Sequence, residues 1–326
     1  MTLTIVLVFG VAFLTGAVAT WASRQLALRL GIVCTPNPLV ASHVRPVAYL
    51  GGIGVAVGAA AGLGVTAMSG WPRPSAAFLA CAAMFLLVGL ADDVLVFTPG
   101  MKLSLQCVVA AGAAVFGVRA DVTGIAAVDV LISVLWIVTV VNAVNMTDVC
   151  DGLVAGSAVP VFLALALLAH DNLAMGIAAA GACCGFVVFN LPPASIFLGD
   201  AGTHLIGFVI AALAIARRSE SFPIQTISAI LVAGLFLFEL VFITTVRIVN
   251  RRPFWKGSRD HFALRLQRAG VSRARIDVGA WMIGGAMGAA AIGFARWPLI
   301  PRVAIVSLVI LAAAAAWRGL LRLGVD

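Results

Sequence analysis

Eleven apolar runs, separated by short polar breaks, constrain the fold of this chain more than any other sequence feature. A run of about 20 apolar residues is long enough for one helix to cross the hydrocarbon core of a bilayer. Backbone groups in lipid need internal hydrogen-bond partners, and these runs are too long and continuous for the strands of a barrel. Only 10% of the residues are charged, whereas an ordinary soluble domain has about 25%. The chain is therefore predicted to be a bundle of membrane-spanning helices.

Charged residues, prolines and glycines mark the ends of the candidate spans. The first run has no basic region before it, because the first Lys or Arg is Arg24, so it is predicted to be an uncleaved span. The fold prediction is all-α: a polytopic transmembrane helical bundle with about 10–11 spans, forming a single integral-membrane domain over residues 1–326. The runs lie near residues 3–21, 47–69, 76–91, 103–118, 125–144, 153–169, 173–191, 202–216, 222–246, 278–295 and 299–317.

Basic residues orient the bundle, because cytoplasmic loops of membrane proteins carry an excess of Lys and Arg. If the N-terminus lies outside and the chain crosses eleven times, 15 of the 21 basic residues are cytoplasmic. The six outer ones are Arg73, Arg119, Arg217, Arg218, Arg296 and Arg302. The same alternation places six aspartates at cytoplasmic helix ends or loops, namely Asp92, Asp93, Asp148, Asp151, Asp200 and Asp260. Polar segments far apart in sequence are thus predicted to converge on one face.

An aspartate pair ends the third run: Asp92 and Asp93 are followed by Lys102 at the start of the next run. Two adjacent carboxylates are costly at a membrane boundary unless they are hydrated, paired or bound to a cation. Together with a lysine, they are suited to an anionic substrate and a metal ion. For this pair alone, a solvated turn that stops the helix is an equal alternative.

The segment from Asn142 to Gly152 places two carboxamides and two carboxylates after the fifth run. If it is helical, Asn142 and Asn145 share one face, and so do Asp148 and Asp151. Such oxygen ligands suit Mg²⁺, which takes one or two protein carboxylates together with water and phosphate oxygens. A cluster of helix caps is the alternative, although capping needs only one such residue.

Two further segments contain candidate residues. Asp200 lies between glycines at the start of a run, where a helix N-terminus favours phosphate and an N-cap is the alternative. The polar loop 250–277 has eight basic residues and places His261 next to Asp260. Such a loop can clamp a pyrophosphate or bind anionic lipid headgroups.

Taken together, these segments resemble the MraY/WecA superfamily of polyprenyl-phosphate N-acetylhexosamine-1-phosphate transferases. The resemblance extends over most of the chain, and the motifs occur in the family's order, which makes five matches far more specific than any one. The matching segments are 42–52 with His43, 92–102 with the aspartate pair and Lys102, the Asn-rich segment 142–152, the FxGDxGS-like segment 197–203, and the histidine loop 259–270.

The chain also departs from the family's pattern. The histidine loop retains His261 only, so sugar and nucleotide recognition are expected to differ from the best-known members. The short spacing between Asp93 and Lys102 and the missing histidines resemble WecA more than MraY. The substituted positions are Cys34 for Asp, Val149 for Gly, Thr203 for Ser, Phe236 for Pro, Glu239 for Asp, and Ala263 and Leu264 for histidines.

The resemblance implies transfer of an N-acetylhexosamine-1-phosphate from a UDP-sugar to a polyprenyl (undecaprenyl or decaprenyl) phosphate. The reaction would release UMP and initiate a lipid-linked cell-envelope glycan, with Mg²⁺ as the cofactor and Mn²⁺ as its substitute. The implied metal ligands are Asp200 and Asn145. The implied catalytic residues are Asp92, Asp93, Asp148 and Asp151, and the implied substrate-binding residues are Lys102, Asn142, Asn145, His43, Arg259 and His261.

The implied setting is the inner (plasma) membrane, with the N-terminus outside and the active-site loops facing the cytoplasm. The expected partners are the polyprenyl phosphate acceptor, the UDP-N-acetylhexosamine donor and the lipid bilayer, but no nucleic acid; a homodimer is left open. Two other functions remain as alternatives, a secondary transporter that uses intramembrane acids such as Glu239 and a catalytically inactive homologue. Transporters place their coupling sites near the membrane midplane, whereas the acids here cluster at one face, which favours the transferase.

Overall fold

The computed structural model describes residues 2–34, 46–216, 222–253, 255 and 257–324, so His43 lies outside the described residues. Within these ranges the chain forms thirteen α-helices, one 3₁₀ turn at His170–Asn172, and the short antiparallel strands β1 (Val33–Cys34) and β2 (Val47–Ala48). The helices are α1 Thr2–Leu30, α2 Gly51–Met68, α3 Ala76–Leu95, α4 Pro99–Val115, α5 Ala126–Thr147, α6 Leu153–Leu168, α7 Leu173–Asn190, α8 Gly199–Ile215, α9 Phe222–Val232, α10 Gly234–Val249, α11 Phe262–Arg268, α12 Arg273–Arg296 and α13 Leu299–Arg322.

Among the described residues, seven helices are long and apolar enough to cross a membrane, and α9 with α10 can form an eighth span. Three further apolar helices, α4, α6 and α8, are 16 or 17 residues long. Each predicted run therefore corresponds to a helix or to a helix pair. The prediction of an all-α polytopic membrane bundle is confirmed.

The predicted run 222–246 is not one straight helix, because α9 and α10 meet at an angle of 74°. The break falls at Ala233, immediately before Gly234. A side chain at Gly234 would collide with Met287 of α12, so the absence of a Cβ allows α12 to pack against the bend. The apolar run itself did not indicate this bend.

Glycines on α2 allow three helices to pack closely. The four-residue repeat Gly54, Gly58 and Gly62 predicts this, because small residues let helix backbones approach each other in lipid. A Cβ at Gly58 would lie 2.7 Å from the carbonyl oxygen of Ala12 on α1, and a Cβ at Gly62 would lie 3.0 Å from Ala178 on α7. The repeat therefore forms the α1–α2–α7 contact.

The central helix is α8, in which every residue from Ala201 to Ile215 is buried. It packs against α2, α3 and α5. Its N-terminus is joined to the first loop by a parallel bridge between Ala48 and Ile196, and by a hydrogen bond from Gly51 N to Phe197 O at 3.0 Å. Asp200 thus lies at the start of the most deeply packed helix.

The polar loop predicted over 250–277 is partly helical. Helix α11 lies inside it, and α12 already begins at Arg273, so Asp277 is a helical residue that is 1% exposed. Arg265 of α11 donates to the carbonyl oxygens of Leu320 and Leu323 at 3.1 and 2.7 Å. This arginine ties the loop to the end of α13.

Candidate active site

Side chains from four helices meet at Lys102. Its Nζ lies 2.6 Å from Oδ2 of Asp200 and 3.0 Å from Oδ2 of Asp92, and donates to Oδ1 of Asn145 at 3.2 Å. Asn145 also donates to Oδ1 of Asp200 and, at 2.9 Å, to Oγ1 of Thr203. The sequence segments that were predicted to converge are in direct contact here.

Local sequence explains how Lys102 reaches this position. The turn after α3 is closed by a hydrogen bond from Phe97 N to Oδ1 of Asp92 at 2.7 Å. Thr98 then caps α4 by accepting a hydrogen bond from Met101 N. Pro99 occupies the first turn of α4, where a backbone N–H would have no helical acceptor, so its missing N–H costs nothing. Lys102 therefore projects from the first turn of α4 toward the end of α3.

Asp93 is used differently from its neighbour. Its two carboxylate oxygens accept from the backbone N–H groups of Asp200 and Ala201 at 2.7 and 3.0 Å. In the first turn of α8 these N–H groups have no carbonyl acceptor within the helix, and the helix dipole favours a negative charge there. Gly89 is required nearby, because a Cβ there would collide with the carbonyl group of Asp200. Asp93 thus fixes the position of Asp200.

A buried amide network supports Asn142. Its Nδ2 donates to Oε1 of Gln106 at 2.6 Å, and Nε2 of Gln106 lies 3.0 Å from Nε2 of His204. Gln106 and His204 are fully buried. Gln106 follows Lys102 by four residues and therefore shares its helix face, a spacing from which the sequence could have identified it.

Asp148 and Asp151 border the cluster. Burial, together with the nearby Asp200 and Asp151 carboxylates, raises the pKa of Asp148 to about 8. Asp151 accepts from Ala194 N at 3.0 Å and pairs with Arg273 at 3.1 Å. It therefore links the start of α6 to the turn before α8 and to α12.

A cavity of about 970 Å³ opens beside Lys102. Seven of the predicted site residues line it, whereas Asp148, Asp151 and the exposed Arg259 do not. Its apolar walls come from α4, α5 and α10, and include Leu103, Val138 and Leu240. The seven lining residues are Asp92, Asp93, Lys102, Asn142, Asn145, Asp200 and His261.

Two lining residues with ionisable side chains, Tyr49 and Arg247, were missed by sequence reasoning. Tyr49 follows β2 and packs edge-on against Phe197, with ring centroids 6.4 Å apart. Burial and the Asp200 carboxylate raise the pKa of Tyr49, which keeps its hydroxyl protonated. Arg247 is 3% exposed and faces the cavity from the last turn of α10. Arg247 lies between the predicted run 222–246 and the predicted loop 250–277, so neither prediction selected it.

The oxygens around Lys102 suit a divalent cation. Asp92, Asp200 and Asn145 direct oxygen atoms at one positive charge, and Mg²⁺ takes one or two carboxylates with water and phosphate oxygens. Among the described residues, no three His, Cys, Asp or Glu side chains form a metal cage. A bound Mg²⁺ would therefore need substrate phosphate oxygens and water to complete its shell.

Known proteins share these segments. The family model for glycosyl transferase family 4 matches residues 75–218, from α3 to the end of α8. A probable undecaprenyl-phosphate N-acetylglucosaminyl 1-phosphate transferase of Bacillus subtilis is 27% identical over 296 residues, covering 86% of this chain and 82% of the relative.

Phospho-N-acetylmuramoyl-pentapeptide-transferases match over about half their length. That of Shouchella clausii is 33% identical over 163 residues, with 47% of each chain covered. That of Geobacillus kaustophilus is 34% identical over 152 residues, with 44% of each chain covered. The family match contains the whole cluster around Lys102. The chain is therefore similar to glycosyl transferase family 4 over residues 75–218, and its relatives support the resemblance to the MraY/WecA superfamily.

Proposed function

We propose that this protein transfers an N-acetylhexosamine-1-phosphate from a UDP-sugar to a polyprenyl phosphate. An oxygen of the acceptor phosphate attacks the β-phosphorus of the donor. The bond from that phosphorus to the bridging oxygen breaks, and UMP leaves. The observation that supports this proposal is the convergence of Lys102, Asp92, Asp200 and Asn145 beside one cavity.

Lys102 is the residue suited to the transferred phosphoryl group. Phosphoryl transfer depends mainly on positioning and on neutralising charge on oxygen, and substrate phosphate oxygens can replace the carboxylates that now bind the Lys102 ammonium. Asp92 is the member of the aspartate pair suited to orient the acceptor phosphate or accept its proton. Both oxygens of Asp93 are instead engaged by the α8 N-terminus.

The shape of the cavity fits two substrates of opposite character. The acceptor's tail must stay in lipid, and Leu103, Val138 and Val241 provide an apolar wall. The donor is a water-soluble polyanion, and Arg247 and His261 lie on the wall formed by α10 and the loop after it. A positive wall attracts such a donor.

Asp200 and Asn145 are proposed to hold Mg²⁺, with Mn²⁺ as a substitute. The bound ion would neutralise developing charge on phosphate oxygens. Because Lys102 occupies the space between the same oxygens, it would shift toward the substrate phosphates as the ion binds. Asn145 and Asp93 hold Asp200 in place during this exchange.

The proposed setting is the plasma membrane, with the site facing the cytoplasm, where UDP-sugars are made. The excess of basic residues in the loops on this side supports this orientation. The product would begin a lipid-linked cell-envelope glycan. The similarity to the probable undecaprenyl-phosphate N-acetylglucosaminyl 1-phosphate transferase of Bacillus subtilis supports UDP-N-acetylglucosamine as the first donor to test.

Purified protein in vesicles that contain polyprenyl phosphate provides the test. UMP release from UDP-N-acetylglucosamine is expected only when the acceptor and Mg²⁺ are both present, and Asp200→Asn should abolish it. Asp171→Asn removes an exposed charge at the 3₁₀ turn and should leave the rate unchanged. UMP release without acceptor would indicate hydrolysis, and sugar uptake without UMP would indicate transport; either result would reject the proposal.

A further inference from the structure

A buried carboxylate on α10 contacts the histidine that faces the cavity. Glu239 is fully buried, and its Oε1 lies 2.8 Å from Nδ1 of His261. Its Oε2 accepts a longer hydrogen bond of 3.4 Å from Phe262 N. A buried carboxylate is costly unless it has partners, so Glu239 and His261 stabilise each other's positions.

The other ring nitrogen of His261 contacts an arginine. Nη2 of Arg247 lies 3.4 Å from Nε2 of His261, and Nε of Arg247 donates to Oγ of Ser258 at 3.1 Å. A carboxylate can only accept at Nδ1 and a guanidinium can only donate at Nε2, so these partners assign the proton of the neutral ring to Nδ1. The ring is thereby oriented from both sides.

Glu239 does not reach the cavity itself. His261 and Arg247 both line the cavity, whereas Glu239 is fully buried behind them. A carboxylate in this position acts on a substrate only through the imidazole. In many functional sites a second residue fixes the tautomer and the orientation of a histidine in this way.

We propose that Glu239 is a positioning residue that holds His261 Nε2 beside the Arg247 guanidinium, so that the two form one binding wall for the donor diphosphate. This inference rests on the proposed function. The Glu239 side chain spans from α10 to His261, the residue immediately before α11. A purely structural link between α10 and this loop would instead affect stability, or both substrates equally.

Steady-state kinetics separates these two roles. Glu239→Gln keeps the shape and an acceptor for Nδ1–H but removes the charge, and it should raise KM for the UDP-sugar about tenfold with KM for polyprenyl phosphate unchanged. Glu239→Asp restores the charge and should recover part of the loss. Combined with His261→Gln, the Glu239→Gln change should add little. Additive losses, or equal changes in both KM values, would overturn the proposal.

Nitrogen-15 NMR of histidine-labelled protein provides a test that does not require activity. The chain has four histidines, and the signals of His261 are those lost in His261→Gln. The neutral ring should be the Nδ1–H tautomer, and Glu239→Gln should shift its signals, whereas Asp171→Asn should not. An Nε2–H tautomer, or signals unaffected by Glu239→Gln, would reject the positioning role even if the protein transfers phosphosugar. A confirmed pair in a protein that releases no UMP would instead reject the proposed function.

Discussion

At the centre of the site, three side chains surround the positive charge of Lys102, which a bound cation can replace. Lys102 is held by Asp92, Asp200 and Asn145 at distances between 2.6 and 3.2 Å. Charge-assisted hydrogen bonds of this kind are stronger than neutral ones. A substrate phosphate or a divalent cation that enters the cluster must replace part of this network, so the network favours polyanionic ligands that supply their own oxygens.

Replacing Lys102 tests this arrangement. Lys102→Met should reduce UMP release by about 10²–10³-fold, since a group that stabilises transition-state charge is lost. Lys102→Arg keeps the charge but not the compact ammonium and should retain more activity. Rates are compared per folded protein, as judged by size-exclusion chromatography. Near-normal turnover by the Met variant would contradict the proposed role of Lys102.

A pH dependence of stability follows from Asp148. Its pKa is raised from 3.8 to about 8, so its contribution to stability is complete below about pH 4 and is lost progressively as the pH rises from about 4 through about 8. Asp148→Asn removes this loss, so its Tm relative to that of wild type should be higher at pH 8.5 than at pH 5, in metal-free detergent solution. A Tm difference that is the same at both pH values would refute this prediction.

Sequence reasoning identified the reactive residue types at this scale but not their division of labour. Asp92 and Asp93 are equivalent in the sequence, yet one contacts Lys102 and the other binds the α8 N-terminus. The difference arises because consecutive helical residues point about 100° apart. Which of them faces α8 depends on packing at Gly89, which the sequence pattern does not reveal.

At the scale of the helices, glycines determine where two helices can pack closely. In α2, Gly54, Gly58 and Gly62 contact α1 and α7, while Gly64 on the same helix has nothing near the position of a Cβ. The repeat predicted this contact correctly because its cause is local spacing. The bend at Gly234 was not predicted, because its cause is Met287 on a helix that follows about 50 residues later.

A matched pair of substitutions on α2 tests the packing. Gly58→Leu should lower the free energy of unfolding by about 1–3 kcal/mol, because the added side chain meets the α1 backbone. Gly64→Leu places the same side chain toward open space and should be close to neutral. Thermal unfolding in detergent measures both. Equal destabilisation by the two variants would exclude close packing as the cause.

At the scale of the whole molecule, all the site segments must lie on one side of the membrane. The basic-residue bias predicts this, and side chains from α3, α4, α5 and α8 do meet at Lys102. The bias also placed the loop with His261 on this side, but it could not reveal that α10 and this loop form one wall of the cavity. That wall depends on the α9–α10 bend, and therefore on tertiary packing.

Thiol labelling in cells tests the orientation. Val96 at the end of α3 is 82% exposed, and Met68 at the end of α2 is 91% exposed. A membrane-impermeant thiol reagent should label Met68→Cys on intact cells, and Val96→Cys only after the cells are permeabilised. The parent protein reports the background from its native cysteines. The reverse pattern would place the site outside and contradict the proposed cytoplasmic orientation.

The most direct measurement follows the phosphorus and the sugar together. A UDP-N-acetylglucosamine donor labelled in its β-phosphate and, with a second isotope, in its sugar is incubated with vesicles containing the protein and polyprenyl phosphate. Both labels should enter the lipid fraction in equal amounts, matched by the UMP released, and Asp200→Asn should prevent this in a folded protein. Sugar label in lipid without the phosphate label, or undiminished transfer by the variant, would contradict phosphosugar transfer at this site.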